Sequence, residues 1–288
     1  MKNIRVGGVP EHFNYPWHYG TQAGIFDAYG LTIDWADVKG GSGAMCKMLE
    51  NNELDIALVL TEGIVKHLHN GGTSKIIQQY VKSPLIWGVH SKTNQNFGVE
   101  DFTKARFARS RVGSGSHLMS YVHAEQKGYA ISEKNFVTVG NIDDAMLAFE
   151  ENEADILLWE KFMTQPYVTQ GKVNRIDQCV SPWPCFMLVA SKKFLDANSE
   201  IVQALCSSIL QSCEQVTLRE DTVAQIAKIY SLKTEGVAQW YDTLEWQTSP
   251  WLSKKMLQNV INTLERVNLL DTTPLSPENL CSSKSKLY

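Results

Sequence analysis

The stretch Gly113-Ser114-Gly115-Ser116-His117 holds the residues of this 288-residue chain best suited to chemistry. Arg111 and Val112 precede it as the end of a strand, and Leu118, Met119, Tyr121 and Val122 follow at helical spacing. Glycines at a strand-to-helix turn let the backbone approach a ligand. The amides at the helix start, with two hydroxyls beside them, then make a seat for an anionic or strongly accepting group. The competing reading is that Ser114 or Ser116 only caps its own helix. Leu118 stands where G-x-G-x-x-G needs its last glycine and no P-loop ending occurs, so the exact nucleotide motifs fail. A second corner of the same make, Gly40-Gly41-Ser42-Gly43, precedes another helical pattern.

In open α/β sheets ligands sit beyond the carboxyl ends of strands. That rule selects His12, Phe13, Tyr15, Trp17, Gly41, Ser42, Gly43, Thr61 and Glu62 in the first part of the chain. In the second part it selects Ser114, Gly115, Ser116, His117, Asn141, Trp159 and Glu160. Ser42 and Gly43 would face Ser114 and Ser116 across an acceptor-rich or anionic group. Phe13, Tyr15, Trp17 and Trp159 would supply flat apolar walls, although aromatic residues more often sit in cores. Glu62 and Glu160 end buried strands and could receive an amine or hydroxyl, or else simply favour a helix dipole. His12 and His117 are hydrogen-bond donors to a ligand on this reading, while His67, His69, His90 and His123 are surface or structural.

The elements that must position these residues alternate. Strands are expected at 4–9, 31–36, 54–60, 75–81 and 85–90, and again at 106–112, 135–139 and 154–159, with helices between them. One helix should run from the aromatic stretch after residue 11 to Gly30, and others over 44–52, 61–69, 116–128 and 142–152. This alternation predicts an α/β fold with mostly parallel strands. Two strand-like runs, 173–180 and 186–191, flank the stiff Ser181-Pro182-Trp183-Pro184 turn. From Lys192 the pattern is helical, so the tail should pack back on the first lobe. An internal echo joins the halves: Gly40, Glu50, Glu53, Asp55, Ile56 and Leu58 recur as Gly140, Glu150, Glu153, Asp155, Ile156 and Leu158. Glycine turn, amphipathic helix, acidic tight turn and buried strand are therefore expected twice.

Composition narrows the function classes. A hydrophobic content of 43% supports a large core, and a net charge of -4 recommends neither nucleic acid nor an anionic membrane as partner. No window is apolar enough for a membrane span. Six scattered cysteines without C-x-x-C spacing point to reduced, mostly buried thiols and to no zinc site. No metal, cofactor or catalytic residue is assigned. The opening Met1-Lys2-Asn3-Ile4-Arg5-Val6 enters a strand-like run directly, so the sequence as it stands is expected in the cytoplasm, and in the periplasm if a leader preceded it.

Two α/β lobes joined by two crossovers, with Gly-Gly-Ser-Gly at 40–43, Glu53-Leu54-Asp55-Ile56-Ala57, Gly113-Ser114-Gly115-Ser116 and Ala227-Lys228-Ile229-Tyr230 followed by Trp240, resemble type 2 periplasmic solute-binding proteins. The resemblance is to the nitrate, sulfonate and thiamine-precursor branch, within it to a subgroup shared by bacteria and some fungi. It implies lobe one over 1–92 and 185–288, lobe two over 93–184, and crossings near 91–96 and 181–184. It further implies capture of a small polar or anionic, aromatic or zwitterionic molecule in an interlobe cleft by hinge closure. If the protein is exported, an ABC transporter permease is the implied partner. The alternative is an intracellular enzyme on the same fold, of the menaquinone or thiamine-pyrimidine biosynthetic type, using His12, His117, Glu62 or Glu160 for acid-base work.

Overall fold

The structure is a computed structural model and describes residues 1–93 and 99–288. The strands are β1 (Lys2–Gly8), β2 (Leu31–Asp37), β3 (Ile56–Leu60), β4 (Lys75–Lys92), β5 (Phe107–Arg109), β6 (Phe136–Thr138), β7 (Ile156–Glu160), β8 (Val173–Ala190), β9 (Trp251–Leu252) and β10 (Lys286–Leu287). The helices are α1 (Tyr15–Gln22), α2 (Ile25–Ala28), α3 (Gly41–Glu50), α4 (Thr61–His69), α5 (Val99–Phe102), α6 (Gly115–Lys127) and α7 (Ile142–Glu150). They continue with α8 (Gln165–Thr169), α9 (Lys192–Ala197), α10 (Ser199–Leu218), α11 (Thr222–Ile229), α12 (Thr234–Tyr241), α13 (Lys254–Arg266) and α14 (Pro277–Leu280). The chain divides into unit 1 (Met1–Ser83, Trp183–Asn262, Thr272–Tyr288) and unit 2 (Pro84–Pro182, Thr263–Asp271).

In unit 1, β1 lies between β2 and β3 and runs parallel to both, while the end of β8 pairs antiparallel with β3. Ile56, Ala57, Leu58 and Val59 are all buried, the mark of a strand covered on both faces. α3 presents Met45, Cys46 and Leu49 to the interior, and α4 presents Ile64, Val65 and Leu68. α10 closes over α1, where the Ser212 hydroxyl donates to the Pro16 carbonyl at 2.5 Å and the Tyr19 hydroxyl meets Gln215 at 3.1 Å. In unit 2, β5 runs parallel to β6 and β7, and β4 pairs antiparallel with β7. Ala108, Ala145, Met146, Phe149 and Leu157 make an apolar cluster between these strands and α7.

The internal echo is a structural repeat. The Arg5 amide and Nε donate to Asp55 Oδ2 at 2.9 and 3.1 Å, and Nη2 donates to Oδ1 at 2.7 Å. In unit 2 the Arg106 amide and Nε both donate to Asp155 Oδ2 at 2.9 Å, with Nη2 on Oδ1 at 2.8 Å. Each aspartate thus fixes the start of a buried strand against the start of its neighbour through a bidentate fork. Burial pushes the Asp155 carboxyl up, but the Arg106 side chain and amide outweigh it and bring it down to about 2. Asn52 and Asn152, the turn residues before the two aspartates, share a left-handed backbone with φ of 58° and 62°. Asparagine tolerates that region better than a branched residue would.

Several boundaries differ from the sequence expectation. The runs at 75–81 and 85–90 are one strand, as are 173–180 and 186–191. The chain passes between units within these two strands, at Ser83–Pro84 and Pro182–Trp183, rather than at 92/93 and 184/185. Proline lacks a ladder N–H, so it weakens a strand without ending its extended course, which is why it resembled a turn in the sequence. Of the connection expected over 91–96, residues 94–96 lie outside the described residues. The helix expected up to Gly30 breaks at Gly24, whose φ of 69° starts α2 anew. β5 ends at Arg109, leaving Val112 two-thirds exposed in the turn. The C-terminal part is not wholly helical, since β9 and β10 pair, and residues 263–271 belong to unit 2. None of the six cysteines forms a disulfide, and five of them are buried.

Candidate functional site

In unit 1 the parallel order β2-β1-β3 sets three strand ends side by side. β2 ends on Asp37, whose Oδ1 accepts the Trp35 indole N–H at 2.9 Å. Past β1 come Glu11 and a single turn, His12–Asn14. Past β3 come Thr61 and Glu62, which open α4. Gly41, with φ of 62°, starts α3, so Ser42 and Gly43 lie in its first turn rather than in a free loop. The Ser42 hydroxyl accepts the Leu60 amide at 3.0 Å, and the Thr61 hydroxyl donates to the Pro184 carbonyl at 2.5 Å. Both hydroxyls therefore hold β3 and α4 in place.

Glu62 is 1% exposed. One carboxylate oxygen accepts the Trp183 indole N–H at 2.8 Å, and the other has no hydrogen-bond partner. Burial pushes this carboxyl up to about 7, against the pull of Trp183 and its own backbone amide. His12 is equally buried. Its ring lies 4.0 Å from Trp240 edge-on and 5.2 Å from Phe13, and neither nitrogen has a partner. Burial lowers it to about 3, so the imidazole is neutral. The Tyr230 hydroxyl beside it is also buried and unpartnered. Burial likewise raises Glu11 to about 7. Unpaired buried polar atoms each cost on the order of 1–3 kcal/mol; the indole nitrogen of Trp17 and the hydroxyl of Ser74 in the same unit carry that cost too, but Glu62 and His12 carry it at strand ends.

The aromatic candidates of unit 1 belong to its core. Trp17 is 1% exposed, stacks on Phe26 at 5.5 Å and neighbours Trp35 and Tyr80. Phe13 packs against Phe186 and Trp240, and its carbonyl accepts from the Tyr80 hydroxyl and the Trp246 indole. Tyr15 is buried next to Tyr19. None of the three is an open wall, because an aromatic ring on an amphipathic turn gains more from burial than from lining water.

In unit 2 the capping reading of the serines prevails. Ser114 is the N-cap of α6, its hydroxyl 3.4 Å from the His117 amide and 3.0 Å from the Ser116 hydroxyl. Ser116 in turn accepts the Ser110 amide at 3.2 Å. Both side chains are buried, which leaves the backbone of Gly113 and Gly115 as the approachable part of that corner. His117 is committed too: Nδ1 accepts the Gly113 amide at 3.0 Å, and Nε2 lies 2.8 Å from Glu133 and 2.9 Å from the Arg109 guanidinium. Arg109 closes this cluster through Glu133 at 2.7 Å and Thr138 at 3.2 Å. Asn141 caps α7 through the amides of Asp143 and Asp144. Trp159 packs on the apolar cluster, and Glu160 accepts the Met163 amide at 2.6 Å.

Sequence reasoning missed Glu11, Tyr230, Arg109 and Glu133, and took Trp183 for a turn residue. Glu11 had a local signal, since it adjoins His12 at the end of β1. Arg109 ends β5 just before the Gly113 corner, and Tyr230 stands in the motif quoted from the sequence, but Glu133 and Trp183 are brought in from distant elements. Among the described residues, no three His, Cys, Asp or Glu side chains gather as a metal site, and no helix is long and apolar enough to cross a membrane.

A family model described as Ca3427-like PBP matches residues 87–179. Over its whole length the chain is similar to the CA3427 gene product of Candida albicans, described as exhibiting the generic periplasmic binding protein fold. The TM-score is 0.92 and the identity 24%, with 100% of this chain and 98% of that one covered. The alkanesulfonate-binding protein SsuA of Xanthomonas axonopodis pv. citri, bound to MOPS, gives a TM-score of 0.79 at 14% identity, covering 97% and 98%. The periplasmic nitrate-binding protein NrtA of Synechocystis PCC 6803 gives 0.71 at 14%, covering 97% and 84%. No curated protein matches the sequence. At such identities the likeness is one of fold, and it is the fold that the motifs implied.

Proposed function

We propose that this chain, whose fold is that of the type 2 periplasmic binding proteins, is a solute-binding protein that captures a small polar molecule by hinge closure. The observation that carries the reading is that, among the buried, unpartnered polar atoms of unit 1, those of Glu62 and His12 lie just past strand ends, with the Tyr230 hydroxyl beside His12. Glu62 and His12 follow the C-terminal ends of β3 and β1, where open sheets bind ligands. A bound molecule would complete those hydrogen bonds and recover the cost of burying them. Prolines where β4 and β8 pass between units suit a pair of hinge strands. Hand-over to the permease of an ABC importer is the finer extension, supported by neighbours such as the ligand-binding component of an ABC-type import system from Staphylococcus aureus.

The test is incubation of the purified protein with a metabolite extract, followed by desalting and native mass spectrometry. A retained, chemically unaltered compound that raises the melting temperature is the expected result. Retention of nothing refutes capture, and a compound that is consumed refutes binding without turnover. Fractionation of cells carrying the whole gene decides between cytoplasm and periplasm, the latter being where delivery to a permease operates.

A further inference from the structure

The strand ends of unit 1 specify more than the presence of a ligand. Asp37 ends one of three adjacent parallel strands and Glu11 and Glu62 follow the other two, with the exposed Lys39 as the nearby cation in sequence. Asp37 and Lys39 lie at the solvent side, whereas Glu62 and His12 are each 1% exposed. What is missing from the buried groups can be stated atom by atom. A carboxylate only accepts hydrogen bonds, and one oxygen of Glu62 accepts none. Neutral His12 has one donor and one acceptor nitrogen, both idle. Above about pH 7, where this carboxyl is ionised, a nitrate or a sulfonate, which offers only acceptors and negative charge, would leave the Glu62 oxygen unpaired and be repelled by it. The side chains at the start of α6 that could have welcomed an oxyanion are engaged within the chain: Arg109 on Glu133 and Thr138, Ser114 and Ser116 on backbone amides and on each other.

Resting on the capture reading above, we propose that Glu62 recognises its ligand through a protonated nitrogen, so that the cargo is a small amine rather than an oxyanion. The ammonium donates to the idle Glu62 oxygen and holds the carboxylate ionised, while Trp183 keeps the other oxygen fixed in direction. His12, past the neighbouring strand β1, and the Tyr230 hydroxyl next to it offer further polar contacts. The groups acting on the Glu62 carboxyl are its burial, the Trp183 indole from β8 and its own backbone amide. Ser42 of α3, packed against Gly63, adds a neutral neighbour.

The experiment uses benzylamine and ethanesulfonate as probes of opposite charge, read by thermal shift and calorimetric titration of the full chain. Benzylamine should raise the melting temperature, bind more tightly toward about pH 8 than about pH 6 as Glu62 ionises, and bind about tenfold more weakly or worse to Glu62→Gln. The pH titration of the unaltered protein discriminates equally well should that variant fold poorly. Stabilisation by ethanesulfonate alone, or binding of benzylamine that is unchanged by Glu62→Gln or falls toward pH 8, overturns the amine assignment. So does the absence of a shift with either probe. Each of these outcomes leaves the capture reading to its own test, the extract experiment, which fails only if no compound of any charge is retained unaltered.

Discussion

Glu62→Gln should make the protein more stable, and increasingly so as the pH rises. The carboxyl titrates near 4.5 in an unfolded chain and at about 7 in the fold, because burial disfavours its charged form. Between those values the folded state holds a proton that the unfolded state has released, so this group costs stability as the pH climbs from 4.5 to 7 and a constant amount above it. A rise from 4.5 to about 7 corresponds to about 3 kcal/mol. Glutamine keeps an oxygen for the Trp183 N–H and carries no charge, so it removes that cost. Urea unfolding of both proteins, followed by tryptophan fluorescence at several pH values, should show a difference near zero at about pH 4.5 that grows to about 3 kcal/mol by about pH 8. The difference is the quantity to read, because other buried groups shape the absolute curve. Glu11 acts in the same direction as Glu62. His12, lowered to about 3, acts oppositely between pH 3 and 6.5. A difference that is flat with pH, or that grows toward acid, would refute the assignment of Glu62 as a buried carboxyl without a second partner.

His12→Phe should stabilise the protein by about 1–3 kcal/mol at neutral pH by removing two unpartnered nitrogens. Its advantage should widen as the pH falls from 6.5 toward 3, where only the unfolded wild type gains a proton on His12, and ligand retention should drop in the same variant. Asp155→Asn should cost about 2 kcal/mol at neutral pH, with the loss fading as the pH falls from 3.8 through about 2. Faster amide exchange confined to β5 and β7 would mark its origin in the Arg106 fork. Ser114→Ala should cost about 1 kcal/mol as the loss of an N-cap, and exchange at the first turn of α6 should rise with it.

The sequence by itself determined the alternation of strands and helices, the doubled supersecondary unit and the fold they imply. These are local properties: a helix repeats every 3.6 residues and a strand every two, and turns declare themselves through glycine, asparagine and proline within a few positions. The same local signals marked His12, Glu62 and Gly115 as strand-end or helix-start residues. Tertiary structure alone decided what each side chain does there. Glu62 meets Trp183 across 121 residues and His117 meets Glu133 across 16, and no pattern within either segment encodes the meeting. A hydroxyl in a helix-start turn is chemically equal to the task of capping or of holding a ligand, and only the geometry around Ser114 and Ser116 chose capping. Burial decided the rest. Trp17 looked like a pocket wall beside proline and histidine, but the interior formed by Phe26, Trp35 and Tyr80 took it in, whereas the same burial left Glu62 with an oxygen that nothing in its unit satisfies.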